Sequence, residues 1–273
     1  MIPADPTRRS SEWDCGTALE VAAGYVTAVR SAPDRAARCR AAASVRGAAA
    51  ITALLRSLPA VSAPFSSSPA GAELRCWFRP DRRLPTGRAP VAVLTLPDTQ
   101  AEYLRGRPRQ ALRTNVQRAT SAGVTCTSTP SAQEIRDGVA RIASRRGQEP
   151  AAMVIPRPRP GLDRSFSLAY DAAGDPVGLS EIIVDVSWAG LAVLVTVPDG
   201  PAVRYLMHTH TVAELIRREV STLTVGGSML LTSAGTRYFQ RRTGYVPVWL
   251  RLDGVATERR VRTGRSDGDP QEQ

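Results

Sequence analysis

Apolar and polar positions change period several times along the chain, and each change marks an element. From Gly16 to Arg30 and from Pro33 to Leu58, Leu19, Val26, Val29, Val45, Ile51, Leu54 and Leu55 recur at roughly helical spacing in alanine- and arginine-rich sequence. Two helices are predicted there, with Pro33 in the first turn of the second. Residues 1–14, with two prolines and mixed charge, read as a loose tail. Pro59–Gly71 reads as a loop, and Glu73–Arg79 and Pro90–Leu96 as short strands around an arginine-rich turn. Residues 101–123 read as one helix, with Pro108 near its start, Gly123 at its end and Leu112, Val116 and Ala119 as its apolar stripe.

Beyond Gly123 the elements follow closely. Gly123–Thr129 alternates like a strand, and Ser131 with Glu134 forms a capping box for a helix running through Arg146. The 147–164 connector contains Pro156-Arg157-Pro158-Arg159-Pro160, too proline-rich for regular structure, and reads as a stiff spacer. Ser165–Tyr170, Val177–Val186 and Trp188–Val197 predict an antiparallel meander. A helix (Val203–Glu219), a strand (Ser221–Val225), a helix (Ala234–Thr243) ended by Gly244, and a strand (Val246–Leu252) complete the pattern. The fold class expected is α/β (α+β): a mixed, twisted sheet made of an antiparallel meander followed by β-α-β-α-β. After Asp253 the chain has the charged composition of a disordered tail.

Composition adds one strong constraint. The 273 residues suffice for one large domain or two small ones. No run of about 18 apolar residues suggests a membrane span, and the N-terminus lacks the order of a signal peptide. Cys15, Cys39, Cys76 and Cys126 are widely spaced, which fits reduced cytoplasmic thiols better than a disulfide frame or metal site. The net charge of +11 comes wholly from arginine, because the chain contains no lysine. GC-rich coding accounts for which base is used, but not for the excess of bases over acids. That excess favours an anionic partner, nucleic acid first and a phosphorylated small molecule second.

The segment Gly226–Leu252 carries a family resemblance. Its Tyr-Phe-Gln-Arg-Arg-Thr-Gly-Tyr stretch, Tyr238 to Tyr245, resembles the Phe-Lys-x-x-Phe-Gly ending of Fem-type enzymes. These form the branch of the GNAT acyltransferase superfamily that transfers amino acids from aminoacyl-tRNA. The basic tract at 101–123 is similar to the arginine-rich helix leading into the second GNAT-like unit of such proteins. The resemblance implies a GNAT-like catalytic domain over 97–253. Residues 1–96 would form a smaller unit of helices and strands, a degenerate second GNAT half, and residues 254–273 a tail. It also implies amide-bond formation, with an amino acid passing from aminoacyl-tRNA to the amine of a small peptide or natural-product acceptor, as in antibiotic biosynthesis. Aminoacyl-tRNA would be the co-substrate, with no other cofactor. Two alternatives stand beside this: an N-acyltransferase using an acyl-CoA or carrier-protein thioester, and a non-catalytic RNA-binding protein on a GNAT scaffold.

Candidate site residues follow from the resemblance and from residue chemistry. The Arg/Gln-x-x-Gly-x-Gly/Ala pyrophosphate loop of CoA-dependent relatives is missing: Pro198-Asp199-Gly200-Pro201 offers one glycine, two prolines without N–H groups and an acid. Gln240 occupies the place of a tyrosine acid or a Fem-type lysine and has a hydrogen-bonding amide instead. Phe239 and Gly244 match the Fem pattern, and Thr243 departs from it. Arg241 and Arg242 restore positive charge and, with Arg109, Arg113, Arg118, Arg204 and Arg237, are the candidates for holding RNA or substrate. His208 is a candidate base; with His210 two positions away on a helix, the pair has the wrong spacing for a metal. Glu181 and Asp185 share one strand face, and Glu181 is the first candidate for binding or deprotonating the incoming amine.

Overall fold

The structure is a computed structural model that describes residues 8–78, 90–150 and 161–252, with no side-chain description for 8–16 and Pro201. The Pro/Arg spacer at 156–160 and the tail beyond Leu252 lie outside those residues. Among the described residues eight strands form one mixed sheet in the order β1-β8-β2-β7-β6-β5-β4-β3.

The predicted meander is present as β4 (Arg164–Tyr170), β5 (Pro176–Asp185) and β6 (Trp188–Thr196), flanked by β3 (Thr125–Ser128). Helix α8 (Pro201–Arg217) then crosses over to β7 (Thr222–Val225), which pairs parallel with β6. Helix α9 (Ala234–Thr243) ends at Gly244, whose φ of 93° is the left-handed cap expected of it, and β8 (Val246–Leu252) closes the unit. This is the GNAT-like order of elements anticipated from the sequence. The capping box of α7 (Ala132–Arg145) is formed: Ser131 Oγ accepts from Glu134 N, and Glu134 returns the bond to Ser131 N.

The N-terminal third departs from expectation. Helix α1 spans Arg8–Arg30 and so includes half of the segment read as a tail. The second predicted helix is two, α2 (Arg35–Ala42) and α3 (Val45–Ser57), because Ser44 caps α3 by accepting from Gly47 N. A short strand, β1 (Ala60–Ala63), lies within the predicted loop. The predicted strand at Glu73–Arg79 is a helix over its described part: α4 runs Pro69–Trp77, with Ser68 as N-cap and Pro69 in its first turn. The predicted helix at 101–123 breaks into α5 (Gln100–Tyr103), a 3-10 turn at Arg107–Arg109 and α6 (Gln110–Ser121). Gly106, at φ 89°, makes the break, and Arg113 ties it by donating to the carbonyls of Leu104 (2.6 Å) and Gly106 (2.8 Å).

Strand β2 (Val91–Thr95) is inserted between β7 and β8 and is antiparallel to both, while β1 pairs parallel with β8 at the sheet edge. The sheet therefore draws strands from both sides of residue 96. A second tie joins the N-terminal helices to the C-terminal unit: buried Arg237 of α9 forks onto Glu20 of α1, at 3.1 and 2.9 Å.

Faces of the sheet can be assigned from β5. Ser180 reaches Thr211 of α8, and Ile182 and Val184 share a core with Tyr205, Val212 and Leu215. The alternate residues Glu181, Ile183 and Asp185 point to the other face, where α4 and α7 pack. Asp185 is a structural clasp there. Its carboxylate accepts from Ser66 N, Ser66 Oγ and Ser68 Oγ, and so fixes the start of α4.

Candidate active site

The site begins with one extra residue in β6. Glu181 pairs with Val193 and Ile182 with Leu191, so Ala192 is a bulge. The parallel pairing of β6 with β7 stops at the same place, its last pair being Leu191 and Val225. Beyond it β6 continues to Thr196, hydrogen-bonded to β5 but with its other edge free of a partner strand among the described residues. The sheet opens into a gap at that point.

Two recesses share the walls of this gap. One, of about 320 Å³, is lined by Trp77, Leu191, Ala192, Val225, Gly226 and Gly227. The other adds Leu194, Arg204, Thr232, Thr236, Phe239, Gln240 and Tyr245 to Leu191, Val225 and Gly226. One mouth therefore lies under Trp77 of α4 and the other between α8 and α9. The Trp77 indole lies over Gly190, where a Cβ would sit 2.4 Å from it, so this wall requires a residue without a side chain. Among the described residues lining the gap there is no carboxylate and no imidazole.

Arg204 is the cation of the site. Its guanidinium carbon lies 4.1 Å from the Phe239 ring centroid, and its buried Nε has no hydrogen-bond partner among the described residues. Burial lowers its pKa, and it forms no ion pair among the described residues. Gln240 is 4 % exposed, and its Oε1 is a buried acceptor without a donor among the described residues. These two, with Phe239, are the predicted candidates that the fold brings to the gap.

The other candidates lie elsewhere. Glu181, expected at the amine, is fully buried away from the gap and paired with Arg164, whose Nε donates to its Oε1 at 2.6 Å. Burial raises its pKa, the neighbouring Arg164 opposes this, and Glu73 adds to it. Its tie to the gap is indirect, since Glu73 also accepts from Nε1 of Trp77. Arg109 packs on Gly244, stacks over Tyr103 and donates to Arg242 O, which places its charge at the C-terminus of α9. Arg113 and Arg237 are engaged in the intramolecular bonds already given. Arg118 is exposed on α6; Arg241 and Arg242 are exposed on α9 beside Tyr238, itself 45 % exposed. His210, on a different side of α8 from His208, meets Ser128 Oγ at 2.8 Å.

His208 does not line the gap; it stands behind Tyr245, which does. Its Nε2 is 3.1 Å from Tyr245 Oη and its Nδ1 is 3.1 Å from Tyr103 Oη, whose proton goes to Thr243 O. A phenol has one proton, so Tyr103 must accept from Nδ1–H, which leaves Nε2 to accept from Tyr245. The series is directed: Tyr245 to His208 to Tyr103 to Thr243. Neither tyrosine was singled out in the sequence, and only their pairing with a buried histidine marks them.

Burial, reinforced by Arg109 and Arg204, lowers the His208 pKa from 6.5 to about 3. A base depressed on folding binds fewer protons folded than unfolded between those two values, so stability falls as pH drops below 6.5. Between pH 7.5 and 5 this group removes about 2 kcal/mol of stability. Denaturant titrations at pH 5, 6 and 7.5 should show that loss in the wild type and a flatter profile in His208→Gln; an unchanged profile in the variant would refute the assignment.

No protein-family model matches the chain, and no curated protein matches it. Solved structures do show similarity in fold. L-PGS from Bacillus licheniformis matches over 59 % of this chain and 57 % of its own, at 12 % identity and a TM-score of 0.42. The C-terminal domain of a putative lysylphosphatidylglycerol synthetase from Agrobacterium fabrum matches over 59 % and 58 %, at 13 % identity and 0.43. A tandem GNAT protein from the clavulanic acid biosynthesis pathway matches over 76 % and 69 %, at 13 % and 0.38. The chain thus spans less than two thirds of the first two. No described helix is long and apolar enough to cross a membrane.

Proposed function

We propose that the protein is an acyltransferase that forms an amide bond, passing an amino acid from aminoacyl-tRNA to the amine of a small peptide or natural-product acceptor. The observation that carries this reading is the gap where β6 leaves β7, open toward both faces of the sheet and holding an arginine with no ion pair among the described residues. The donor carbonyl enters between α8 and α9, and the amine enters beneath Trp77. The amine nitrogen attacks the ester carbonyl carbon, the new oxyanion lies against Arg204, and the carbon–oxygen ester bond breaks. The nitrogen's proton leaves with the 3′ oxygen of the tRNA. An activated ester needs positioning more than acid–base help, in keeping with a gap whose described lining has neither carboxylate nor imidazole.

Charge next to the gap supports an RNA donor. Tyr238, Arg241 and Arg242 form an exposed aromatic and basic surface on the helix that also carries Phe239 and Gln240. The start of α8 disfavours a nucleotide-linked thioester. Pro201 has no N–H, Val203 N is spent on Gly200 O, and Asp199 is exposed beside them. One observation favours the second reading, a thioester donor: the free edge of β6 would pair with the amides of an extended arm.

The test is transfer of radiolabelled amino acids from a charged tRNA pool, with and without RNase, beside acyl-CoA donors and an amine panel. RNase-sensitive transfer is expected, and thioester turnover without tRNA binding would overturn the reading. Binding of charged tRNA should weaken steeply with salt. Arg241→Ala with Arg242→Ala should reduce the slope of log K against log salt by about 2; an unchanged slope would move the RNA surface elsewhere.

A further inference from the structure

We infer that helix α2 and the corner after it form a second basic surface, one that takes the phosphate backbone of double-stranded RNA. It lies apart from the gap, so binding there does not depend on which acyl donor the gap accepts.

Helix α2 is held in place without being packed. None of its eight residues is buried. A helix without a buried face gains little from tertiary packing, yet this one is fixed at both ends. Asp34 caps its start by accepting from Ala37 N at 2.7 Å. At its other end Tyr25 of α1 donates from Oη to Ala42 O at 2.9 Å. The Tyr25 ring also presses on Gly47 of α3, where a Cβ would sit 2.1 Å from it. The half-buried Ala37 and Ala41 face α1. Arg35 stands opposite them, with Arg38 and Arg40 on the two flanks. The helix is thus a mount for three outward arginines.

The charge around it is one-sided. From Arg30 to Arg46 the chain has five arginines and one acid. Arg30, Arg35, Arg38, Arg40 and Arg46 are all exposed, and none forms an ion pair among the described residues. The acid, Asp34, is committed to capping α2. By contrast Arg141, Arg145 and Arg217, exposed as well, each meet a carboxylate. Like charges gathered on one small surface repel one another until an anion lies among them.

What accompanies the charge says which anion fits. Between Arg30 and Arg46 there is no aromatic residue to stack a base and no Asn or Gln to read one. Such a face holds phosphates and leaves bases alone, which suits a duplex whose bases are already paired. The α9 surface is its complement, because Tyr238 beside Arg241 and Arg242 can stack an unpaired base. A bilayer surface would need a broad apolar face beside the arginines, and a lone exposed valine, Val45 at 83 %, does not make one. Arg30 lies ten residues, about 15 Å, along α1 from Glu20, the partner of Arg237 on α9. An RNA with an unpaired end at α9 and a stem at α2 would engage both surfaces.

The test measures binding of two labelled RNAs of equal length, a hairpin with a fully paired stem and an unstructured single strand, over a series of salt concentrations. In the triple variant Arg35→Ala, Arg38→Ala, Arg40→Ala, hairpin affinity should fall and its slope of log K against log salt should shrink by about 3, equally for stems of unrelated sequence. The slope for the single strand should hold within about 1. Lysine at the same positions should restore most of the hairpin affinity, since a phosphate can be met by charge alone. Because α2 buries none of its residues, the alanine variant should melt within about 3 °C of the wild type. An unchanged hairpin slope would overturn the duplex surface, and so would an equal loss for both RNAs. Binding to phosphatidylserine vesicles that the triple substitution abolishes, with hairpin binding unaffected, would assign the surface to a membrane instead. Thioester turnover at the gap beside arginine-dependent hairpin binding would overturn the tRNA-dependent reading and leave this surface standing. RNase-sensitive transfer with an unchanged hairpin slope would do the reverse.

Discussion

Arg164→Ala will destabilise the protein by about 3–5 kcal/mol at neutral pH, the cost of leaving a buried carboxylate without its cation. Glu181 is fully buried, its Oε1 is held by Arg164, and its Oε2 has no hydrogen-bond partner among the described residues. The loss will depend on pH. Burial already raises the Glu181 pKa, and without Arg164 it rises further. An acid whose pKa is raised on folding stabilises the fold below its unfolded pKa and loses that contribution as pH climbs through the folded value. The deficit should therefore be smallest near pH 4.5 and grow toward pH 7.5, the reverse of the His208 effect, which wild type and variant share. Arg164→Met combined with Glu181→Leu should restore stability to within about 1–2 kcal/mol, since a packed apolar pair replaces a buried ionic one at little cost. Urea titrations at the two pH values decide this; a deficit below 1 kcal/mol that ignores pH would mean that water reaches Glu181.

Arg204→Ala should lower kcat/KM for aminoacyl transfer by about 10²–10³, the usual cost of one preorganised oxyanion donor, with kcat taking most of the loss. Its guanidinium carbon packs 4.1 Å from the Phe239 centroid, a cation–π contact that restrains the side chain before charge develops. Lysine lacks the planar fork and the stacking surface, so Arg204→Lys should recover only part of the rate. Stability should change little, because Arg204 has no ion pair among the described residues to lose. Steady-state kinetics of both variants make the comparison, and a loss under threefold in the alanine variant would remove Arg204 from the chemistry.

What the sequence made legible is what periodicity and punctuation encode. The meander, α8, β7, α9 and β8 were readable because the apolar period switches cleanly and Gly244 ends the last helix in a conformation glycine adopts most easily. Helix α4 was misread because Leu74-Arg75-Cys76-Trp77 alternates like a strand, although Ser68 and Pro69 are helix-start signals. The break at Gly106 was hidden by the helical spacing on either side of it. In the site, Arg204, Phe239 and Gln240 were candidates and reach the gap. Trp77 and Tyr245 were missed because their roles come from strands parting, which no local pattern records. Glu181 and Arg237 looked functional as isolated charges; each is paired with a residue from a different element, Arg164 and Glu20, that only the fold brings near.

The insertion of β2 between β7 and β8 bears on how the chain is made. Residues Val91–Thr95 leave the ribosome long before either of their neighbours, and β1 waits longer still for β8. Until the last strand is synthesised, β1 has no lateral partner and β2 has only β7, so the nascent chain carries unpaired strand edges of the kind that recruit one another. The final strand fills the place between β1 and β2, so the wall formed by α9 and the start of β8 is assembled at the end of synthesis. A truncated product lacking β8 would expose β1 and β2 together, and it would be the species most in need of a chaperone.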